Sequence, residues 1–177
     1  MNTINNSAMN LAIKCNFCDG GAKPGHMGFN GCCSDSIIKY NIQKRKRSWC
    51  ANPASDCYKY FHSEISRREI DNKINSGGSV CYESCMLRDW IVGAGYNKKG
   101  KPNKMLKCKE NGLAILTTKE PECDEEKRYI YGVFLIDEYF EGDDYEPAYA
   151  TADSRYRIKL DEQEILRFWD HFMYDNC

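Results

Sequence analysis

The pattern of apolar and polar positions changes character near residue 110. Before it, apolar residues are scattered at helical intervals between glycine-rich and polar stretches. After it, they gather into dense β-branched and aromatic runs. Residues 11–33 (LAIKCNFCDGGAKPGHMGFNGCC) are rich in glycine, contain Pro24, and read as loop. Ser34 and Asp35 then open a helix whose apolar stripe, Ile37, Ile38 and Ile42, runs to about Arg47. The stretch from Ser48 to Tyr60 reads as loop again. A second helix is expected over Arg67–Asn75, because Ser66 and Glu69 have capping-box spacing and Gly77-Gly78 ends it. A third is expected from about Tyr82 to Val92, ended by Gly93 and Gly95.

Beyond the Lys- and Gly-rich residues 97–104, LAILTT (Leu113–Thr118) and YIYGVFLIDEY (Tyr129–Tyr139) read as buried strands. The polar connection KEPECDEEK between them makes an antiparallel pair. YRIKL (Tyr156–Leu160) alternates and reads as a further strand. From Leu160-Asp161 a closing helix is expected, with Ile165, Leu166, Phe168, Trp169, Phe172 and Met173 on its apolar side. The class is α+β: helices, then a sheet, then a C-terminal helix. The expected divisions are a flexible N-terminal segment at 1–27, a helical cap at 28–104 and a β part at 105–177, with 28–177 forming one compact unit.

Composition narrows the function classes. The chain has 177 residues, 42% apolar and 12% aromatic, enough for a real core. Its polar start lacks the basic and apolar regions of a signal peptide, and no apolar run approaches the roughly 20 residues that span a bilayer. A cytoplasmic protein without a membrane partner is expected. The net charge of −1 hides an asymmetry: residues 1–109 carry 18 Lys and Arg against 8 Asp and Glu, and residues 110–177 carry 7 against 18. The basic half suits a polyanion such as DNA or RNA; equally, the two halves neutralise each other across a shared interface. Lys39, Lys44, Arg45, Lys46 and Arg47 on the first helix, with Lys98 and Lys99 in the later loop, are the candidate phosphate contacts.

The cysteines carry the sharpest chemistry. Eight of eleven fall between Cys15 and Cys85. A cytosolic chain this rich in thiols points to metal or redox chemistry rather than disulfides. Cys15-x2-Cys18 has the spacing of a zinc half-site, with His26 as a further candidate, but no tidy second pair follows. Cys33, Cys50, Cys57 and Cys81 each sit at an element boundary, where thiolates are free to converge and helix N-termini favour negative charge. These four are the expected metal ligands. Tetrahedral zinc and a [4Fe–4S] cluster both accept four thiolates, and the spacing does not choose between them. Four free, partly buried cysteines are the bland alternative. Cys32 and Cys85 are close enough in sequence to substitute, and Cys108, Cys123 and Cys177 read as incidental. A cysteine nucleophile finds only His26, His62 and His171 as bases, none in a recommending context. Glu125-x-Lys127 lies in a polar loop and is discounted as a nuclease motif. There is no phosphate-binding P-loop, dinucleotide fingerprint or G-x-S-x-G elbow.

The strings GFNGCCSD (28–35), WCANPASDC (49–57), CYESCMLRDW (81–90), LAILTTKEP (113–121) and RYIYGVFLIDEY (128–139) together resemble a bacterial group of uncharacterised proteins. In that group a Cys-containing N-terminal part precedes a PUA-like β-barrel of the SRA, EVE and ASCH type. The resemblance covers roughly residues 28–170. It implies a barrel that recognises a modified base in DNA or RNA, with the base held in a pocket at the barrel mouth. Trp49, Tyr82 and Trp90 would then supply stacking faces, and Asp35, Glu83, Thr117 and Thr118 the polar edge contacts. These 177 residues show no nuclease motif, so a stand-alone reader, or one that works with a separate nuclease or modification enzyme, is expected ahead of catalysis by this chain. An iron–sulfur enzyme or redox sensor built on the same cysteines is the alternative, and a zinc-braced interaction domain a third reading.

Overall fold

A computed structural model describes residues 10–21, 28–45, 49–97, 101–161 and 164–171. It is α+β, with four helices among the described residues over a curled, mixed, open sheet. The helices are α1 (Asp35–Gln43), α2 (Asp56–Phe61), α3 (Arg67–Asn75) and α4 (Tyr82–Asp89). The strands are β1 (Leu11–Lys14), β2 (Ile91–Gly93), β3 (Leu113–Thr118), β4 (Tyr129–Phe140), β5 (Tyr149–Lys159) and β6 (Leu166–Arg167).

The sheet is built outward from the two strands richest in β-branched and aromatic residues. β3 and β4 pair antiparallel, Leu113 opposite Leu135 and Thr118 opposite Tyr129, with a register shift after Leu116. On one side β1 joins β3 in parallel, Leu11 opposite Ala114. On the other, β5 joins β4, β2 closes the order antiparallel to β5, and β6 continues the β5 side of β4 at Tyr129 and Ile130. β3 is buried from Ala114 to Thr118, as a strand covered on both faces must be. The main core lies on the helical face, where Leu116, Tyr131, Phe134 and Ile136 meet Ile38, Ile70, Met86 and Trp90. A smaller cluster of Ile115, Ile130 and Phe168 covers the opposite face, with Leu160 and Trp169 against it.

Several expectations change. Residues 11–14, read as loop, form β1, and the Thr117 and Thr118 hydroxyls staple them by donating to the Ile13 and Cys15 carbonyls at 2.9 and 3.1 Å. The stretch after Ser48 is not continuous loop: a 3-10 turn at Trp49–Ala51 precedes α2, which Ser55 caps by accepting from Tyr58 N–H. The first helix ends at Gln43. The third ends at Asp89 because Trp90 turns left-handed, at φ 52°, and releases the chain into β2. β5 begins seven residues before the expected strand. The closing helix is replaced by β6 and a 3-10 turn at Phe168–Asp170; Ile165, Phe172 and Met173 do not extend a described helix, the last two lying outside the described residues. The apolar residues Phe168 and Trp169 cover the sheet's outer face instead, Trp169 Nε1 donating to the Glu125 carbonyl at 2.7 Å. Among the described residues no helix is long and apolar enough to cross a membrane.

Candidate thiol centre and adjoining groove

Six cysteines from four chain segments meet beneath the helical layer. Cys18 follows β1, where the Asp19 carboxylate accepts from Gly21 N–H and from the Ser34 N–H and hydroxyl. That ties the Cys18 turn to the start of α1, just after Cys32 and Cys33. The segment carrying those two is anchored to the sheet by Phe29. Its ring stacks on Tyr131 with centroids 3.9 Å apart, and its φ of 66° is one that bulky side chains rarely adopt. From α3, the Arg67 guanidinium donates to the Cys33 and Cys32 carbonyls at 2.8 and 3.4 Å while pairing with Asp71 at 3.1 Å. Cys50 sits in the 3-10 turn, its carbonyl accepting from Ser55 Oγ at 3.2 Å, and Cys57 follows in the first turn of α2. Cys81 is the N-cap of α4, where Ser84 Oγ accepts from its N–H at 3.3 Å and donates to its carbonyl at 2.7 Å.

The six divide into two adjoining groups of three. The Cys57 thiol touches both Cys32 and Cys50, which pushes its own titration upward and holds those two below the ordinary thiol value. The Arg67 charge assists at Cys32 and the Asn41 amide at Cys50, 3.9 Å from its sulfur. In the second group, contact with Cys18 and then burial raise Cys33 well above the ordinary value. Burial and then the Glu83 carboxylate do the same to Cys81. Cys33, Cys50 and Cys81 line one small cavity of about 10 Å³ together with Asn16, Phe17, Asn41, Trp49 and Glu83. That volume is about the space of a single small atom or water. Among the described residues, no three His, Cys, Asp or Glu side chains converge at metal-ligand geometry.

Three of the four expected ligands, Cys33, Cys50 and Cys81, therefore share a cavity, while Cys57 lies against Cys32 and Cys50. Cys18, set aside by sequence reasoning with the N-terminal segment, is 1% exposed and touches Cys33. Its signal was the CxxC spacing, but Cys15 does not join it. Cys15 turns toward Tyr131 and lies 3.7 Å from the Met86 sulfur, where burial pushes its thiol up to about 12. Cys85 lies on α4 with its S–H on the Cys81 and Tyr82 carbonyls, and burial raises it to about 11. Cys108 is buried apart, near Tyr139.

Beside the thiols a groove of about 1170 Å³ opens between the α2 and α4 starts and β2. Trp49 is 40% exposed along it, its indole N–H fixed on the Val80 carbonyl at 2.9 Å. Tyr82 and Tyr96 add two aromatic faces. The Tyr82 ring is seated by Gly93, where a Cβ would stand 2.5 Å from ring carbons. Glu83 lines both groove and cavity, its Oε1 accepting from the Asn16 side chain at 2.9 Å and backbone N–H at 3.3 Å.

Of the expected base-pocket residues, Trp49, Tyr82 and Glu83 meet in this groove and the other four do not. Trp90 is buried edge-to-face on Phe134. Thr117 and Thr118 are fully buried and bonded to β1. Asp35 pairs with Arg67 and accepts from Tyr60 OH at 3.0 Å. Among the described residues the sheet is open, so they form no mouth of a closed barrel. Tyr96, whose aromatic face also suits stacking, lines the groove, whereas Asn52 and Asn97 were missed as base-edge groups because they lie in loops where no periodicity marks a lining residue. Lys39, Lys44 and Arg45 are exposed on and after α1. Lys46, Arg47, Lys98, Lys99, His26 and Cys177 lie outside the described residues. No family model matches the chain, and neither the curated proteins nor the solved structures return a match.

Proposed function

We propose that the protein binds nucleic acid and recognises a modified base or nucleotide, with a structural thiolate metal centre, zinc or iron–sulfur, bracing the wall of the binding groove. The observation that carries this reading is the groove itself. Three aromatic side chains, Trp49, Tyr82 and Tyr96, line a concavity with room for a nucleotide, with Glu83, Asn52 and Asn97 as hydrogen-bonding groups for a base edge. The curled open sheet is compatible with a relative of PUA-like barrels in which closure is incomplete. The basic first half supplies backbone contacts from Lys39, Lys44 and Arg45, so affinity should fall steeply as salt rises.

Binding of labelled single- and double-stranded oligonucleotides, modified and unmodified, across a salt series tests this. Trp49→Ala should weaken binding by about 1–3 kcal/mol, the value of one base–aromatic stack. No binding at low salt to any oligonucleotide, or binding indifferent to Trp49→Ala and Tyr82→Ala, overturns the reading.

One observation favours a second reading as a redox sensor: Cys57 touches two other thiols, Cys32 and Cys50. Hydrogen peroxide would take two protons and two electrons from Cys57 and one neighbour, leaving a disulfide and two waters. A mass loss of two hydrogens, reversed by dithiothreitol and abolished in Cys57→Ser, supports it; an unchanged mass after peroxide treatment excludes it.

A further inference from the structure

We infer that the groove selects a base that carries a positive charge, such as a purine alkylated on a ring nitrogen, over its neutral parent. This rests on the reading of the groove as a nucleotide site and names the kind of modification it reads. The charges within the groove are the first reason. Among the described residues, four charged side chains line it: Lys14, Asp56, Lys73 and Glu83. Lys73 pairs with Asp56 at 2.6 Å, and Lys14 pairs at 3.0 Å with Glu125, outside the groove. Glu83 is the charge left over. Its described hydrogen bonds come only from Asn16, a neutral residue, and both fall on Oε1. Oε2 accepts no hydrogen bond among the described residues, so the groove holds a carboxylate without a cation.

The aromatic side chains are the second reason. Trp49 and Tyr96 are 40% and 47% exposed, so their faces are open to a ligand. Each of the three rings is on a fixed support. Trp49 is held by its indole bond to Val80, Tyr82 is seated on Gly93, and the backbone at Tyr96 bridges to Pro102. Trp49 and Glu83 also share the wall of the small cavity, which brings a ring and the carboxylate to one place. An aromatic face is the negative end of a quadrupole, and it attracts a stacked cation beyond what it gives a neutral ring of equal area. A carboxylate accepts and never donates, so it adds charge attraction and suits a base edge that offers N–H groups. An ammonium head group alone would fill little of about 1170 Å³. A flat base with its sugar and phosphate uses that length, with the Asn52 and Asn97 amides beside it and Lys14 and Lys73, both more than half exposed, at hand for the phosphate.

Calorimetric titration of the full chain with N7-methylguanosine monophosphate and with guanosine monophosphate tests this. The two differ by one methyl group and one positive charge. The methylated nucleotide should bind about tenfold tighter, from the rings and the carboxylate together. In Glu83→Gln the preference should shrink to about 2–5-fold, the share that exposed rings supply alone. Tyr96→Leu, which keeps an apolar side chain and removes a π face, should weaken the methylated nucleotide more than the unmethylated one. If Glu83→Gln does not fold, Tyr96→Leu decides. Equal affinities in the wild type overturn the inference, as does an undiminished preference in folded Glu83→Gln or an equal loss for both nucleotides in Tyr96→Leu. Equal affinities that both fall in Trp49→Ala overturn the charge preference alone and leave the nucleotide site standing. A trimethyllysine peptide bound ahead of both nucleotides overturns the inference and the nucleotide reading with it.

Discussion

The sheet and the thiol-bearing layer solve the same problem, holding short elements in place, by different means. β3 and β4 bury a continuous run of large side chains, with Leu116, Phe134 and Ile136 at 0–1% exposure. The helices above them have nine, six, nine and eight residues, all shorter than the roughly 12–15 that make an isolated helix even marginal. Buried aliphatic side chains are few in the first three, Ile38 in α1 and Ile70 in α3, while α2 buries only Cys57; α4 adds Met86 and Leu87. Thiols occupy core positions that leucine or phenylalanine would take elsewhere. Polar ties from Asp19, Ser55, Arg67 and Ser84 do the rest. The difference teaches that the sheet is stable by burial, and that the helical layer depends on the groups that join its segments.

The largest expected effect comes from the sheet side. Phe134→Ala removes a ring that is 1% exposed and packs on Trp90, and should cost about 3–5 kcal/mol in urea unfolding. Because one buried cluster runs from Cys18 through Ala150, both regions should unfold in a single transition. Two transitions would divide them into separate units.

If the thiols hold the proposed metal, removing it should act on one region only. With a chelator, amides of α1, α2 and α3 should exchange at least about tenfold faster, while those of β3 and β4 keep their protection. Uniform loss across both would show that the sheet, too, depends on the centre.

A smaller effect separates groove from fold. Gly93→Ala drives the Tyr82 ring from its seat, so oligonucleotide affinity should fall while unfolding free energy changes by about 1 kcal/mol or less. An unchanged affinity would remove Tyr82 from the binding surface.

The smallest is electrostatic. Hydrogen bonding and the charge of Arg128, with help from Lys14, hold the Glu125 carboxyl at about 2, below its ordinary 4.5. A lowered acid favours the folded state when ionised. Its contribution is complete above the ordinary value and is lost as pH falls from about 4.5 toward 2. Glu125→Gln should flatten that limb of the stability–pH curve slightly, since the pair is partly solvated. An unaltered limb would assign acid lability to other carboxylates.

Legibility followed how local each interaction is. α3 was readable to the residue, because its capping box places Ser66 and Glu69 three apart and both hydrogen bonds form within that turn. β3 and β4 were readable from composition, and their pairing from the short connection. β1 was not: four residues in a glycine-rich stretch pair with a strand about 100 positions away, and nothing local marks that contact. Phe168 and Trp169 kept the spacing of a helix face, yet they cover a sheet, because an apolar stripe does not name the surface it will meet. The place of Cys18 against Cys33 was hidden for the same reason, since β1, which it follows, had not been placed.

The sequence by itself determined the α+β class, the identity of its strongest helix and strands, and the crowding of thiols before residue 86. Propensity, capping and burial-driven patterning act over a few residues and are written in order along the chain. Only the tertiary structure decided that the sheet stays open, that Trp90 and the two threonines are sealed inside, and which cysteines share a cavity. Those outcomes depend on segments from Leu11 to Trp169 meeting in space, and long-range closure leaves no local signature in the amino-acid order.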